Sequence, residues 1–168
     1  MSAARTVRRP VQTKVPKNLR YTVDASVFVN AFNPHEEGHA ESLAILGTIQ
    51  ERGDPVIAPT LLLPEIASAV ARASDDSAGS LDYANATAAL AHLTLVSVSS
   101  AMARQAAELA AAHRLRGADA VYVAVARRYG TTLVSRDEEQ RTRGSAAVSC
   151  QTPEEALRSR QAPKRTRR

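Results

Sequence analysis

Five short apolar runs alternate along this chain with stretches of helical length, and that alternation restricts the fold more than any other feature. The runs are Arg20 to Val23, Pro55 to Ala58, Leu93 to Val98, Thr131 to Val134 and, weakest, Ala147 to Cys150. Helices are predicted between them at Ser26 to Phe32, Glu37 to Arg52, Leu61 to Ala73, Leu81 to Ala91, Ser99 to Leu115 and Ala118 to Tyr129. Two neighbouring parallel strands cannot be joined by a tight turn. The chain must cross a face of the sheet, and a helix is the usual way to cross it. The expected fold is therefore α/β, with three α/β/α layers around a central parallel sheet of four to five strands.

Local punctuation supports these limits. Gly53-Asp54-Pro55 ends the second helix before its strand, and Gly130 follows Tyr129 where a residue of positive φ is wanted. Ser74 to Ser80 is small and polar and reads as a loop. Thr152-Pro153 opens a last helix, with Thr152 as N-cap and Pro153 at the first helical position.

Length and composition suit one domain with its own core, since 44% of the 168 residues are apolar. No apolar run approaches the roughly 18 residues that a membrane span needs. The basic N-terminus lacks the apolar segment of a secretory signal. A single cysteine, Cys150, excludes an internal disulfide and a cysteine-rich zinc site, so the cytoplasm is the expected compartment. The net charge of +5 conceals a partition. Of 22 Lys and Arg, six fall in residues 1–20 and six in 158–168, leaving ten against all 17 acids, a net of −7 for the body. Residues 1–19 and 158–168 are expected to be basic, disordered tails flanking a domain at 20–157. Such tails serve as solubilising ends or as a salt-sensitive hold on RNA or acidic protein surface.

Four carboxylates mark places where an apolar run gives way to a helix, or where a helix opens. Asp24 follows Tyr21-Thr22-Val23, at the strand end where open α/β sheets bind ligands. Its structural role would be an N-cap. Glu65 stands among Leu61, Leu62, Leu63, Ile66, Ala69 and Val70, where few neighbours solvate it. Asp119 opens the apolar helix that continues Ala120-Val121-Tyr122-Val123-Ala124. Asp137 follows the fourth strand, within a Ser135-x-x-Glu138 pattern that also fits a capping box. Spacing does not decide which of Asp137, Glu138 and Glu139 points inward. Brought together, these acids would repel unless a cation neutralised them. Mg²⁺ or Mn²⁺ prefers such oxygen ligands and can activate water against a phosphodiester. Ser26 and Ser135 are supporting polar groups. Arg116 and Arg136 adjoin the acids and are candidates for phosphate contacts, with an ion pair as their competing role.

In this order, Val23-Asp24-Ala25-Ser26, Leu63-Pro64-Glu65-Ile66, Gly117-Ala118-Asp119-Ala120 and Leu133-Val134-Ser135-Arg136-Asp137 resemble the PIN-domain nucleases, and most nearly the VapC-type toxins of toxin–antitoxin pairs. The likeness covers about residues 20 to 150. It implies a helix-flanked parallel sheet with Mg²⁺ or Mn²⁺ held by Asp24, Glu65, Asp119 and Asp137. It also implies endoribonuclease activity, a homodimer, and inhibition by a small antitoxin. Leu43, Ile45 and Leu46, on one helix, are the residues offered toward dimerisation. Glu138-Glu139 directly after Asp137 leaves open whether the fourth role is shared.

Rival chemistries lack motifs. The chain has no G-x-x-x-x-G-K or G-x-G-x-x-G phosphate loop. His35, His39, His92 and His113 show no H-E-x-x-H spacing, and His35 and His39 read as solvent-facing neighbours on one helix. The leading expectation is a metal-dependent ribonuclease. The alternatives are a catalytically inactive PIN-like module binding RNA or protein through its tails, and a phosphatase acting on small molecules.

Overall fold

The computed structural model describes residues 19–161. Residues 1–18 and 162–168, most of the two expected basic tails, lie outside the described residues. The order of elements is β1 (Tyr21–Val23), α1 (Ala25–Phe32), α2 (His39–Arg52), β2 (Val56–Pro59), α3 (Leu62–Ser74), α4 (Ser77–Ala88), β3 (Leu93–Val96), α5 (Ser100–His113), α6 (Gly117–Tyr129), β4 (Thr132–Val134), α7 (Glu138–Gly144), β5 (Cys150–Gln151) and α8 (Pro153–Gln161). The five strands form one sheet in the order β3-β2-β1-β4-β5, every pairing parallel. One group of helices packs through α1–α2, α1–α3, α3–α4 and α2–α8, the other through α5–α6 and α6–α7. The expected three-layer α/β/α architecture with a parallel sheet is what the chain adopts.

The topology fixes where a site can form. From β1 the chain winds outward through β2 to β3, then returns through α5 and α6 to the other side of β1 and continues outward to β5. The winding thus reverses between β1 and β4, and a crevice opens there at the strands' carboxyl ends. Register places the two ends level, with Val23 opposite Val134. Asp24 and Ser135 therefore leave the sheet side by side.

Strand β1 is buried throughout and β4 at Leu133 and Val134, as a doubly covered sheet requires. Thr22 is tolerated there because its hydroxyl meets that of Thr131 at 2.6 Å. Helix α6 crosses the centre of the sheet, touching β1, β2 and β4. Its six buried residues, Ala120 and Tyr122 to Ala126, explain why that run is apolar on nearly every side. Gly53 and Gly130, at φ 62° each, close α2 and α6 in the left-handed region where a side chain is strained.

Several boundaries differ from expectation for local reasons. The stretch read as a loop at 74–80 is mostly helix, because Asp76 caps α4 by accepting from the Gly79 N–H at 3.0 Å. Only Asp75, at φ 52°, and Asp76 separate α3 from α4. Strand β5 is Cys150–Gln151 rather than 147–150, since Ala147 and Val148 N–H groups bond Gly144 O in a turn. His35 and His39 do not share a helix face. Helix α2 begins at His39, whose Nδ1 lies 3.1 Å from Asn30 O. Ile45 is wholly buried in the core, so of the three residues offered toward dimerisation only Leu43 is an exposed large apolar side chain. Among the described residues no helix is long and apolar enough to cross a membrane.

Helix α8 runs to Gln161, four residues into the stretch expected as a tail. It starts with a reciprocal capping box. Thr152 Oγ1 accepts from Glu155 N–H at 3.1 Å, and Glu155 Oε2 accepts from Thr152 N–H at 2.9 Å. Thr152→Ala is expected to lower unfolding stability by about 1 kcal/mol in urea melts, with an unchanged m-value.

Candidate active site

Asp24 terminates β1 and caps α1. Its Oδ1 accepts from Ser26 N–H at 2.9 Å and its Oδ2 from the Gln140 amide at 3.2 Å. The side chain is nearly enclosed, and burial pushes its carboxyl above the ordinary range, with the bonds to Ser26 and Gln140 opposing. Asp137 caps α7, accepting from Gln140 N–H at 2.8 Å, while its own N–H donates to Ser135 Oγ at 3.0 Å. The cap is thus Asp137, not a Ser135–Glu138 box. Ser26 knits the two loops together: its Oγ accepts from Arg136 N–H at 3.0 Å and lies 3.4 Å from Ser135 Oγ.

The other two acids come from helix first turns. Glu65, on α3, accepts from the Tyr122 hydroxyl at 2.6 Å. Burial raises its pKa first of all, the Tyr122 bond opposes, and Asp24 and Asp119 raise it further. Asp119, on α6, is pushed up to about 6, chiefly by burial and then by the charges of Asp137 and Asp24, against which Arg116 acts. Among the described residues its Oδ2 is buried without a hydrogen-bond partner. The charge of Asp24 thus bears on Glu65 and Asp119, and that of Asp137 on Asp24 and Asp119.

Both arginines are committed to acids. Arg116 reaches Asp137 Oδ2 at 3.5 Å and Glu139 Oε2 at 2.9 Å, but its side chain is 65% exposed. Such exposed pairs contribute at most about 1 kcal/mol and are readily exchanged for a phosphate. Arg136 bonds Glu154 Oε1 at 3.0 Å and Gly38 O at 3.4 Å, and is more enclosed. Gly38, at φ 78°, has no room for a side chain beside that guanidinium. Glu139 is bound to Arg116 and Arg143 and Glu138 is exposed, whereas Asp137 is joined to Asp24 through Gln140. Asp137 lines two clefts. One, of about 460 Å³, includes Ser26, Asn30, Glu36 and Arg136; the other, of about 450 Å³, includes Arg116, Glu139 and Arg143.

Among the described residues no three His, Cys, Asp or Glu side chains converge at metal-ligand spacing. The donors nevertheless suit a hard divalent cation in their chemistry. All four are carboxylates, three carry upward-shifted pKa values, and Asp119 offers an unpartnered buried oxygen. Sequence reasoning missed Gln140, which is fully buried and touches two of the acids. Its one signal was its place three residues after a capping Asp, where the helix turns back over the cap.

Fold and site together define an α/β domain that gathers carboxylates at the switch point of a parallel sheet. The chain belongs to the PIN domain family, whose model matches residues 21–144. No curated protein sequence matches it significantly. Known structures share its fold at low identity. VapC20 of Mycobacterium tuberculosis, a sarcin–ricin loop cleaving toxin, superposes with a TM-score of 0.63 at 20% identity, over 76% of this chain and 94% of that one. PAE2754 of Pyrobaculum aerophilum gives 0.62 at 18% identity, over 86% and 92%. VapBC2 of Rickettsia felis, bound to a DNA fragment from its promoter, gives 0.60 at 14% identity, over 80% and 98%.

Proposed function

We propose that this protein is a Mg²⁺- or Mn²⁺-dependent endoribonuclease, the toxin of a toxin–antitoxin pair. The observation that carries the reading is the pairing of Asp24 and Asp137 through Gln140 at the switch point, with Asp119 carrying a buried oxygen that no group among the described residues satisfies. Asp24, Glu65, Asp119 and Asp137 would hold the cation. When bound, it supplies a water activated near neutral pH and positive charge to offset that growing on the scissile phosphate. The chain's own groups prepare the rest. Ser26 and Ser135 lock the β1 and β4 loops together, which fixes Asp24 relative to Asp137. Arg116, exposed and only loosely tied, is positioned to exchange its acids for backbone phosphate.

RNA as substrate is supported by the likeness to a toxin that cleaves the sarcin–ricin loop. A small antitoxin partner is supported by the likeness to the VapBC2 complex. The homodimer and the cytoplasmic location remain part of the same proposal.

The test is cleavage of structured RNA by the purified protein with Mg²⁺, with Mn²⁺ and with EDTA. Cleavage is expected with either metal and is expected to vanish with the chelator. Cleavage that persists in EDTA would overturn the metal-dependent reading. Metal uptake without cleavage of any RNA would overturn the nuclease reading.

A further inference from the structure

Two of the four acids are held by neutral side chains buried behind them. Tyr122 is fully buried on α6, yet carries a hydroxyl that must find a partner. That hydroxyl donates to Glu65 Oε2 at 2.6 Å. Gln140, fully buried on α7, donates its amide to Asp24 Oδ2 at 3.2 Å while its backbone N–H caps onto Asp137. Tyr122 thus connects α6 with α3, and Gln140 connects α7 with the end of β1.

The neutrality of both donors has a physical consequence. A buried arginine or lysine at either place would orient a carboxylate but also cancel its charge, and would compete with a cation. A hydroxyl or amide orients the oxygen and leaves the charge in place. Among the described residues the one Lys or Arg ion-paired with any of the four acids is Arg116, through Asp137, and its side chain is exposed. Fixed ligand orientation with undiminished charge is the combination that a divalent site needs.

Resting on the metal-nuclease reading above, we propose that Tyr122 and Gln140 are positioning residues that aim Glu65 and Asp24 at a divalent cation. Neither would touch the RNA. The test uses Tyr122→Phe, which removes one oxygen, and Gln140→Met, which keeps length and volume but no donor. Mn²⁺ binding is measured by calorimetry on the protein alone, RNA cleavage is measured as kcat and KM, and thermal melts report the fold. Each variant is expected to bind Mn²⁺ roughly 10- to 100-fold more weakly and to lose kcat at fixed Mn²⁺, with KM for RNA unchanged. Melting without metal is expected to shift by only a few degrees. Wild-type Mn²⁺ affinity and kcat in Tyr122→Phe, with a lower melting temperature, would show a merely structural hydroxyl and overturn the inference. If Gln140→Met fails to fold, Tyr122→Phe decides alone. Absence of Mn²⁺ binding by the wild type would instead bring down the functional reading itself.

Discussion

Replacing Asp119 by asparagine is expected to remove RNA cleavage while making the metal-free protein more stable. The two effects have one cause. Asp119 is the acid with a buried, unpartnered oxygen, and the charges of Asp137 and Asp24 add to burial in disfavouring its ionised form. Asparagine keeps the shape and discards the charge. Losing one ligand of the cation that would offset phosphate charge is expected to slow cleavage by roughly a thousandfold, the rate equivalent of about 4 kcal/mol.

The stability effect has a definite pH window. The folded pKa of Asp119 is raised from 3.8 to about 6, so folding is opposed where the unfolded chain is ionised and the folded one resists ionisation. Below pH 3.8 both states carry the proton and nothing is lost. The penalty grows between 3.8 and 6 and is complete above 6. Asp119→Asn should therefore melt higher than wild type at pH 7 to 8, with the gain fading toward pH 4. Added Mg²⁺ should raise the wild-type melting temperature and leave the variant nearly unmoved, because a ligand stabilises only the state that binds it. A variant that melts lower than wild type at pH 8 would contradict this electrostatic account. Equal cleavage by the two proteins would remove Asp119 from the site.

What could be read from the sequence follows physical range. The alternation of strands and helices is local, and so is the placing of an acid at each junction. Both survive in the structure, from Asp24 after β1 to Asp137 after β4. Asp137 also illustrates a limit. A capping pattern identified the helix start, but an Asp inside the pattern outcompeted the Ser that opened it. Ser77 to Ser80 looked like a loop because their composition is polar. In fact Asp76 supplies a cap, and Ser80 turns its hydroxyl back onto Ser77 O at 2.8 Å and is buried. Long-range burial was invisible. Spacing left open which acid of 137–139 points inward and did not single out Gln140, yet Gln140 is the enclosed residue, because α7 turns it toward Asp24 across more than a hundred residues of chain. Nothing in the spacing of Asp24 and Gln140 encodes that meeting. It depends on β1 and β4 being neighbours.

A second long-range pair governs stability at the other end of the sheet. Asp54 read as part of a helix breaker and Arg160 as part of a basic tail, but the two form an ion pair that is 7% and 6% exposed. Arg160 Nε also donates to the Tyr21 hydroxyl at 2.9 Å, and its guanidinium lies 5.3 Å from the centre of that ring. The pair thereby fastens α8 to the start of β1 and the end of α2. Removing one member strands the other without solvent, so the cost exceeds the worth of the pair itself. Asp54→Ala is expected to lower stability by about 3 to 5 kcal/mol in urea melts at pH 7. Arg160→Met is expected to cost less, because an orphaned carboxyl can take up a proton whereas a guanidinium cannot lose one. Its deficit should shrink on acidification, while that of Asp54→Ala should not. The double variant, with no charge left buried, should recover part of the loss. If Asp54→Ala unfolds within 1 kcal/mol of wild type, Arg160 has escaped to solvent and α8 is held by its apolar contacts with α2 alone.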